Sequence, residues 1–426
     1  MKVLIISQYF WPENFRVNEL SEELIKLGHD ITVLTGYPNY PKGEIFEEFL
    51  NKRTFYRKYK GVKIIRVPII PRKKGRFQLA INYLSFVFNS ILIGYFKLHN
   101  KKFDLIFTFQ VSPVTVGITS AFFSFIKKCP NIIWVLDLWP DTLSAYGFLK
   151  RKWQLNILKI FVNWIYSRCD LILTQSNSFL REIKNYYSIK NNVIFFPSWG
   201  EDNLFKKKYP LAKEIKKKKI FTILFAGNIG EAQDFPNILK AIKELNDNKI
   251  KDFRILLVGD GSKKDWVKKQ IKKLKIENRF EIYPSYPLDR MPSFFKHADV
   301  LLVSLLNKKV FNMTIPGKVQ FYLSSGKPIV GMINGEGADL INISKSGFTC
   351  NSGDYIQLSK IIGKMITMNP SELKKLGKNG IAYAKREFSK SELIKKLETI
   401  MLNTNNDPKY VTKKNIKVNS TQKYKN

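Results

Sequence analysis

Short apolar runs alternate with amphipathic stretches along the first 200 residues, and this alternation constrains the fold more than any other feature. "KVLIIS" is typical of a buried strand, "VNELSEELIKLG" of an amphipathic helix that ends at Gly28, and "DITVLTG" of a second strand. The runs "FDLIFTF", "NIIWVLD" and "DLILTQS" repeat the pattern further along the chain. Strands that alternate with helices indicate a parallel, doubly wound α/β sheet.

The alternation breaks at residues 191–205, "NNVIFFPSWGEDNLF", and then starts again. "FTILFAG" at 221–227 and "FRILLVG" at 253–259 read as strands, and the pattern continues to "KPIVGMI". The sequence therefore predicts a second doubly wound domain, joined to the first by a short hinge. Two such domains form a cleft between the carboxyl ends of their sheets, which is where ligands of open α/β sheets bind.

These patterns also predict domain boundaries. We expect residues 1–200 to form the first domain and residues 206–384 the second. A helix at about 385–402 could pack back on the first domain. Residues 403–426 are polar and basic, which predicts a disordered tail.

The charge balance is strongly basic, with 72 Lys and Arg against 35 Asp and Glu, a formal charge of +37. Such a chain favours anionic partners: a phosphate-bearing substrate, an acidic membrane surface or nucleic acid. Any single lysine run, such as Lys216–Lys219, is equally typical of a solvated face. Cys129, Cys169 and Cys350 form no CxxC pair, which argues against a zinc site or a disulfide framework and suits a reducing cytoplasm.

One segment, residues 77–98, has no charged residue between Arg76 and Lys97 and is borderline in length for a membrane-spanning helix. Asn82, Ser85, Asn89 and Ser90 dilute its apolar character. We therefore favour a helix that is buried on one side and dips into a membrane surface, with a true span as the alternative. The basic "PRKKGR" before it would suit acidic headgroups.

The stretch "TIPGKVQFYLSSGKPIVG", residues 314–331, reads as loop, helix, stop and strand. It places Pro316 and Lys318 at the open end of a helix. Gly227 and Gly230 follow another predicted strand, where a helix N-terminus could meet a phosphate. Each glycine turn alone could be purely structural. Together with Lys318, these turns favour a nucleotide diphosphate as ligand.

The chain contains no GxxxxGK[ST] loop and no Asp-x-Asp pair. The first absence argues against a P-loop NTPase. The second removes the usual carboxylate pair for holding a metal–diphosphate complex, so we expect no metal and no cofactor. Positive charge and helix dipoles would then bind the diphosphate.

In the first domain, Asp137 lies at the carboxyl end of a predicted strand in "VLDLWPDT" and is expected to face the cleft. A helix cap or turn residue is the alternative. Glu13 and Arg16 lie on the loop after the first strand and are further candidate site residues. The alternative is that Pro12 and the neighbouring aromatic residues merely shape this loop.

Several motifs together carry a resemblance to a known family. "KVLIISQYFWPENFRVNELSEELIKLGHDITVLTGYPNYPKG", "DLWPD", "FAGNIGEAQDFPNILKA", "LVGDGS" and "TIPGKVQFYLSSGKPIVGMINGEGADLI" resemble the family-4 glycosyltransferases of the GT-B fold. They look most like the branch that adds N-acetyl-fucosamine-type sugars in O-antigen (lipopolysaccharide) and capsule synthesis.

The resemblance implies a retaining, metal-independent hexosyltransferase that uses a nucleotide sugar, usually UDP-linked. It implies a polyprenyl-diphosphate-linked saccharide as acceptor, at the cytoplasmic face of the membrane. It also implies that the protein is cytoplasmic and peripherally attached to the inner face of the cell membrane.

Carried over residue by residue, the resemblance places Gly227 and Asn228 on the turn that meets the donor phosphates and Lys318 on the diphosphate. It implies catalytic roles for Lys318 and for Asp137, the latter on the acceptor side. Glu13 and Arg16 are predicted to be acceptor-side residues as well. The residues implied to hold the nucleotide base are Ile282, Tyr283 and Pro284.

The chain also departs from the family pattern. Met313 and Phe321 stand where the wider family has two glutamates, and Asn228 and Gln233 stand where many members have Arg and Lys. We hypothesise that Glu336, in "NGEGADL", binds the ribose hydroxyls instead. An ordinary surface turn is the alternative for that residue.

Two other functions stay open at the level of sequence. A hydrolysing UDP-N-acetylglucosamine 2-epimerase resembles the same fold, although only three scattered histidines are present. A non-enzymatic nucleic-acid binder would account for the charge, but no RRM, KH, OB or helix-turn-helix signature occurs.

Overall fold

The computed structural model describes residues 1–72, 75–149, 151–186, 193–250 and 252–407. The chain forms two compact units, each with its own sheet. The first comprises Met1–Phe196 and the C-terminal segment from Ile394, and the second comprises Pro197–Leu393. Residues 197–200 and 385–393, which we expected in or against the first domain, therefore lie in the second unit.

The first unit is built from alternating strands and helices. Its strands are β1 (Lys2–Ile6), β2 (Asp30–Gly36), β3 (Lys58–Tyr59), β4 (Val62–Val67), β5 (Leu105–Gln110), β6 (Asn131–Val135), β7 (Leu171–Thr174) and β8 (Val193–Phe195). Its helices are α1 (Arg16–Lys26), α2 (Glu47–Asn51), α3 (Arg76–Leu98), α4 (Val116–Lys127), α5 (Asp141–Ala145), α6 (Lys152–Tyr166) and α7 (Asn177–Tyr186).

Within the described residues, the first sheet has the order β3-β4-β2-β1-β5-β6-β7-β8, and every neighbouring pair is parallel except β3–β4. Four of the five residues of β1 are fully buried, as expected for a strand covered by helices on both faces. In α1, the buried Val17, Leu20 and Leu24 recur at helical spacing and attach one face of the helix to the sheet.

The second unit repeats this architecture. Its strands are β9 (Phe221–Ala226), β10 (Phe253–Val258), β11 (Phe280–Tyr283), β12 (Val300–Ser304), β13 (Ile329–Met332) and β14 (Gly347–Cys350). Its helices are α8 (Asp202–Phe205), α9 (Phe235–Asp247), α10 (Lys264–Lys273), α11 (Met291–Phe295), α12 (Lys309–Met313), α13 (Gly317–Ser325), α14 (Glu336–Ile343), α15 (Tyr355–Thr367) and α16 (Pro370–Glu387).

The strand order of the second sheet is β11-β10-β9-β12-β13-β14, and all the paired strands are parallel. Because β9 lies in the middle and the chain moves outward from it in both directions, the turns after β9 and β12 lie at the topological switch point. The predicted fold class, two doubly wound parallel-sheet domains, is confirmed.

The last helix, α17 (Lys390–Asn406), belongs to the first unit from Ile394 onward. Glu398 Oε1 lies 2.9 Å from His29 Nε2, and Leu397 and Met401 are fully buried. The helix extends to Asn406, so residues 403–406 are not part of a disordered tail as predicted. Residues 408–426 lie outside the described part of the chain.

Helix α3 covers the apolar segment 77–98. Phe86 and Leu98 are fully buried in the core of the first sheet, whereas Phe77, Leu84 and Phe88 are exposed on the other side. Among the described residues, Phe77–Leu98 is the one stretch of helix long and apolar enough to cross a membrane, and about a third of it is buried. The helix is thus buried on one side, while its contact with a membrane stays a prediction.

Candidate functional site

The turn after β9 lies against the first turn of α13. Gly227 has a φ of +119°, and a Cβ at this position would lie 2.8 Å from Lys318 Cε. One turn further along α13, the Tyr322 hydroxyl accepts a hydrogen bond from the Ala226 N–H at 3.0 Å and donates to the Ala226 carbonyl at 3.3 Å. Tyr322 therefore fixes α13 to the end of β9, and the missing side chain of Gly227 makes room for Lys318.

Lys318 is the most unusual charged group of this edge. Its Nζ is buried, has no hydrogen-bond partner within the described residues and lies 3.7 Å from the centroid of the Phe225 ring. Burial lowers the pKa of Lys318 to about 7. A buried ammonium without a counter-ion is unfavourable, so an anion that reaches it gains a strong, weakly screened interaction.

The turn from Gly227 to Gln233 is tied to the neighbouring strand ends. The Ile229 N–H donates to the Asp260 carbonyl at 2.8 Å, and the Gln233 side chain accepts from the Gly230 N–H at 3.1 Å. A Cβ at Gly230 would lie 2.7 Å from Asn228 Nδ2. Asn228 and Gln233, the two residues that depart from the family pattern, therefore shape the turn itself.

The first turn of α14 packs beside the start of α13. A Cβ at Gly337 would lie 3.0 Å from Cδ of Pro316, the residue that precedes α13. Gly335, with a φ of +63°, turns the chain so that the buried Glu336 becomes the first residue of α14. Pro316, Lys318 and Glu336 are thus brought to one edge of the second sheet, next to Gly227.

The three residues implied to hold the base lie at the end of β11. The Ile282 side chain packs against the core of the second unit, and Pro284 is exposed. The Tyr283 hydroxyl donates to Glu281 Oε2 at 2.8 Å, while the Tyr283 carbonyl accepts from the Gly259 N–H at 3.2 Å. The Tyr283 hydroxyl and carbonyl are thus occupied by the fold, and contact of Ile282, Tyr283 and Pro284 with a base stays a prediction.

In the first unit, Asp137 follows β6 and is half-buried. Burial raises the pKa of Asp137 to about 6, although hydrogen bonds from the Ser112 and Thr142 side chains oppose the shift. Gln110 Nε2 donates to the Asp137 carbonyl at 2.7 Å and holds the turn in place. A carboxylate with a pKa near neutrality can accept or orient a hydroxyl proton.

Glu13 is surrounded by backbone N–H groups of the first unit. Its buried carboxylate accepts hydrogen bonds from the backbone N–H groups of Phe10 at 3.2 Å, Asn39 at 2.9 Å and Tyr40 at 2.7 Å. Burial raises the pKa of Glu13 to about 7 against these three hydrogen bonds. The carboxylate joins the loops after β1 and β2, so it shapes the edge where an acceptor is expected.

Arg16 begins α1, and its Nη1 lies 4.0 Å from Glu19. Glu13 and Arg16, which were predicted together as site residues, do not form an ion pair with each other. The Glu13 carboxylate accepts hydrogen bonds from backbone N–H groups, and Arg16 lies near Glu19 of its own helix. A role for Arg16 toward an acceptor stays a prediction.

Sequence reasoning missed several polar groups of the first unit. Gln8 Nε2 donates to Asn82 of α3 at 2.8 Å, and the Oε1 atom of Gln8 is buried without a hydrogen-bond partner in the described part of the chain. The same holds for Oδ1 of Asn39. The sequence feature that could have identified Gln8 and Asn39 is their position just after β1 and β2, at the carboxyl ends of central strands.

The chain thus folds into two doubly wound parallel sheets, and the second carries the buried Lys318 Nζ at a glycine turn of its switch point. Residues 14–197 match the model of Glycosyltransferase Family 4, and residues 207–383 match Glycosyl transferases group 1. The chain therefore consists of a Glycosyltransferase Family 4 domain followed by a Glycosyl transferases group 1 domain, and the predicted membership of the family-4, GT-B glycosyltransferases is confirmed.

Two relatives and one solved structure are similar over much of the chain. The "Probable glycosyltransferase WbjE" of Pseudomonas aeruginosa is 25% identical over 59% of this chain and 64% of its own length. The chain thus spans just under two thirds of that relative. The "Putative colanic acid biosynthesis glycosyl transferase WcaI" of Escherichia coli (strain K12) is 22% identical over 76% of this chain and 82% of its length.

The solved structure is HepE of Anabaena in complex with UDP. It has a TM-score of 0.69 at 15% identity and covers 94% of this chain and 100% of the HepE chain. At this identity the likeness shows the fold.

Proposed function

We propose that the protein is a retaining glycosyltransferase that moves a sugar from a UDP-linked donor to a lipid-linked saccharide in surface polysaccharide synthesis. The observation that carries the proposal is Lys318, a buried cation without a hydrogen-bond partner in the described residues, against the glycine turn after β9. The named role of WcaI in colanic acid biosynthesis and the UDP complex of HepE support the pathway and the donor. The donor sugar is proposed to be an N-acetylated deoxyhexose, as in O-antigen and capsule synthesis.

In the second unit, the diphosphate of the donor would meet Lys318 and the Asn228 N–H at the turn after β9, since the N–H groups of Gly227, Ile229 and Gly230 already donate to hydrogen bonds of the fold. During transfer the bond between C1 of the sugar and the diphosphate oxygen breaks, and negative charge develops on the leaving UDP. Lys318 stabilises that charge, an electrostatic contribution that is usually the largest in such catalysis.

The acceptor hydroxyl forms the new bond to C1 on the face that the diphosphate leaves, so the anomeric configuration is retained. Its proton passes to the departing diphosphate. In the first unit, Asp137 would orient the acceptor hydroxyl, and its raised pKa allows it to hold that proton briefly near neutral pH.

Glu336 is proposed to bind the ribose hydroxyls of UDP. It is buried at the start of α14, whose first turn packs against Pro316, two residues before Lys318. In contrast, the Met313 and Phe321 positions, where the wider family has glutamates, are apolar and buried. The position of Glu336 as a buried carboxylate at this edge supports the proposal that it takes their role.

We also propose that no metal ion or other cofactor is needed, because lysine and backbone donors would balance the diphosphate charge in a chain without an Asp-x-Asp pair. Turnover should then be the same in EDTA as in Mg²⁺. A loss of turnover in EDTA that Mg²⁺ restores would contradict this part of the proposal.

The acceptor is proposed to be a polyprenyl-diphosphate-linked saccharide, and the protein to work at the inner face of the cell membrane. The basic charge of the chain and the exposed apolar side of α3 support this location.

The test is UDP release from a panel of UDP-sugars, measured with and without a lipid-diphosphate saccharide acceptor. We expect release to require, or rise strongly with, the acceptor. Acceptor-independent release with formation of an epimerised sugar would instead identify a 2-epimerase. Binding of oligonucleotides without any UDP release would identify a nucleic-acid binder.

A further inference from the structure

The first unit has an extended exposed apolar face that its sheet does not use. On α3 the exposed residues recur at helical spacing, and Phe88 is 67% exposed. Exposed apolar residues also recur at helical spacing on α6, where Ile160 is 72% exposed, and Phe125 of α4 is 82% exposed. We call this surface the apolar face; its exposed members are Phe77, Leu84, Phe88, Leu92, Phe96, Phe125, Trp153, Ile157, Ile160 and Trp164.

These residues form one continuous surface because the three helices pack tightly side by side. Ser90 of α3 and Thr119 of α4 share a hydrogen bond of 3.0 Å. A Cβ at Gly94 of α3 would lie 3.2 Å from the Phe123 ring of α4. A Cβ at Gly117 of α4 would overlap Ile165 of α6. An apolar patch of this extent is unusual on a free protein surface and marks a contact with something else.

The charge around the apolar face indicates the partner. None of the helices α3, α4 and α6 contains an acidic residue, whereas α1 contains Glu19, Glu22 and Glu23. Exposed basic residues lie at the helix ends; they include Lys97, Lys101, Lys102, Lys128, Arg151, Lys152 and Arg168. An apolar surface with a basic border and no carboxylates complements an anionic lipid surface.

A second copy of the chain fits less well. In a symmetric dimer through this face, the same basic border would meet itself, and the like charges would repel. The aromatic residues also favour a lipid surface over a second copy. Trp153 and Trp164 lie at opposite ends of α6, and the Arg168 guanidinium lies 3.9 Å from the centroid of a Trp164 ring. Tryptophan and snorkelling basic side chains are typical of the membrane–water interface.

We infer that the outer faces of α3, α4 and α6 together dock on an anionic lipid bilayer, with the three helices lying along the membrane and none crossing it. A crossing by α3 would remove the fully buried Phe86, Leu98 and Ser90 from the first unit and break the hydrogen bond between Asn82 and Gln8. The inner side of α3 thus belongs to the fold, and its outer side is free to enter the interface.

This surface deepens the proposed function, on which the next step rests. Tyr83, on the inner side of α3, is buried beside Trp139, with ring centroids 6.1 Å apart, and Trp139 lies two residues after Asp137. Asp137 is therefore separated from the apolar face by one helix. A saccharide carried on a membrane lipid would reach Asp137 from the plane in which α3 lies.

The experiment measures binding of the full chain to phosphatidylcholine vesicles with and without phosphatidylglycerol, by flotation. We expect binding to the anionic vesicles only. The double variant Ile157→Glu/Ile160→Glu should reduce vesicle affinity by about tenfold or more, since it removes two apolar contacts and adds two negative charges. The control Ile356→Glu/Ile381→Glu places the same two changes on exposed residues of α15 and α16 in the second unit and should bind normally.

A second measurement does not depend on those variants. Vesicles with brominated acyl chains should quench the fluorescence of the wild-type protein, and Trp153→Phe/Trp164→Phe should remove most of that quenching while keeping binding. Equal binding by the glutamate double variant, or quenching unchanged without Trp153 and Trp164, would overturn the inference. So would self-association that the double variant abolishes in a protein that does not bind vesicles.

Vesicle binding requires no turnover, so the two proposals fail separately. Docking without sugar transfer would leave this inference standing and remove the proposed function. Transfer to a lipid-linked acceptor by a protein that does not bind anionic vesicles would support the proposed function and overturn this inference.

Discussion

Replacing Lys318 with methionine should have opposite effects on catalysis and stability. Methionine keeps the packing on Phe225 and against Gly227 but removes the ammonium group. If the ammonium group binds the diphosphate, its loss removes a charge-assisted hydrogen bond worth about 1.5–3 kcal/mol. At ~1.36 kcal/mol per factor of ten, kcat/KM for the donor should fall roughly 10- to 150-fold.

The same change should stabilise the free protein. The Nζ atom of Lys318 is buried without a hydrogen-bond partner among the described residues, and such a group costs about 1–3 kcal/mol of folding free energy. Lys318→Met removes that cost, so its Tm at pH 7 should be several degrees above that of the wild type. A residue that was merely part of a packed core would not combine a higher Tm with lost turnover.

The pH dependence follows from the same burial. Since the pKa of Lys318 is lowered from 10.5 to about 7, the unfolded chain binds more protons than the folded one between those values. The free energy of unfolding should therefore rise with pH across this interval, and Lys318→Met should flatten the rise. UDP, as an anion, should bind more tightly below pH 7, where Lys318 is protonated, and this dependence should also vanish in the variant.

Lys327→Met is the matched control. Lys327 lies just beyond the other end of α13, where its Nζ donates to the Ala298 carbonyl at 2.6 Å. Its replacement should lower Tm and leave UDP affinity unchanged. The reasoning is refuted if Lys318→Met binds UDP within about twofold of wild type, by calorimetry, or if its Tm falls like that of the control.

Three further variants test other residues of the site. Tyr322→Phe loses both hydrogen bonds to Ala226 and should lower stability by about 1–2 kcal/mol in urea unfolding and raise the donor KM; an unchanged KM would separate Tyr322 from the donor turn. Glu336→Ala should raise the donor KM sharply with a smaller effect on kcat, and an unchanged KM would remove the ribose contact. Wild-type turnover should rise with pH through about 6, where Asp137 ionises. Asp137→Asn should lower kcat at least about tenfold and should abolish this pH dependence. If the pH dependence persists in the variant, it belongs to another group.

Most of the fold was readable because a parallel strand buried on both faces is an unbroken apolar run. "FTILFA" and "VLLVS" are such runs, and the structure has β9 and β12 at these positions. The edge strand β14, "GFTC", was not predicted, because only Cys350 among its four residues is buried and no periodicity distinguishes it from a loop. The expected return of the C-terminal helix is found in α17 from Ile394 onward, but its contacts, such as that between His29 and Glu398, join residues far apart in sequence and no local pattern contains them.

The candidate site was readable in part for a similar reason. The helix start at Lys318 and the turn at Gly227 are local features, and the structure brings them together. That Lys318 would be buried without a partner depends on Phe225, which is distant in sequence. The environment of Glu13 could not be predicted from local sequence. Its carboxylate is bound by the N–H groups of Asn39 and Tyr40, which lie near it only in the folded chain.

The most direct test of the central claim is the mass of the acceptor after reaction. The full chain is incubated with a panel of UDP-sugars and a polyprenyl-diphosphate-linked saccharide. The mass of the lipid product is measured by mass spectrometry and its anomeric configuration by NMR, alongside released UDP. We predict that one sugar residue is added to the lipid for each UDP released, with the anomeric configuration of the donor. An acceptor of unchanged mass with every donor, or a product of inverted configuration, would contradict the proposed activity or its retaining mechanism, respectively.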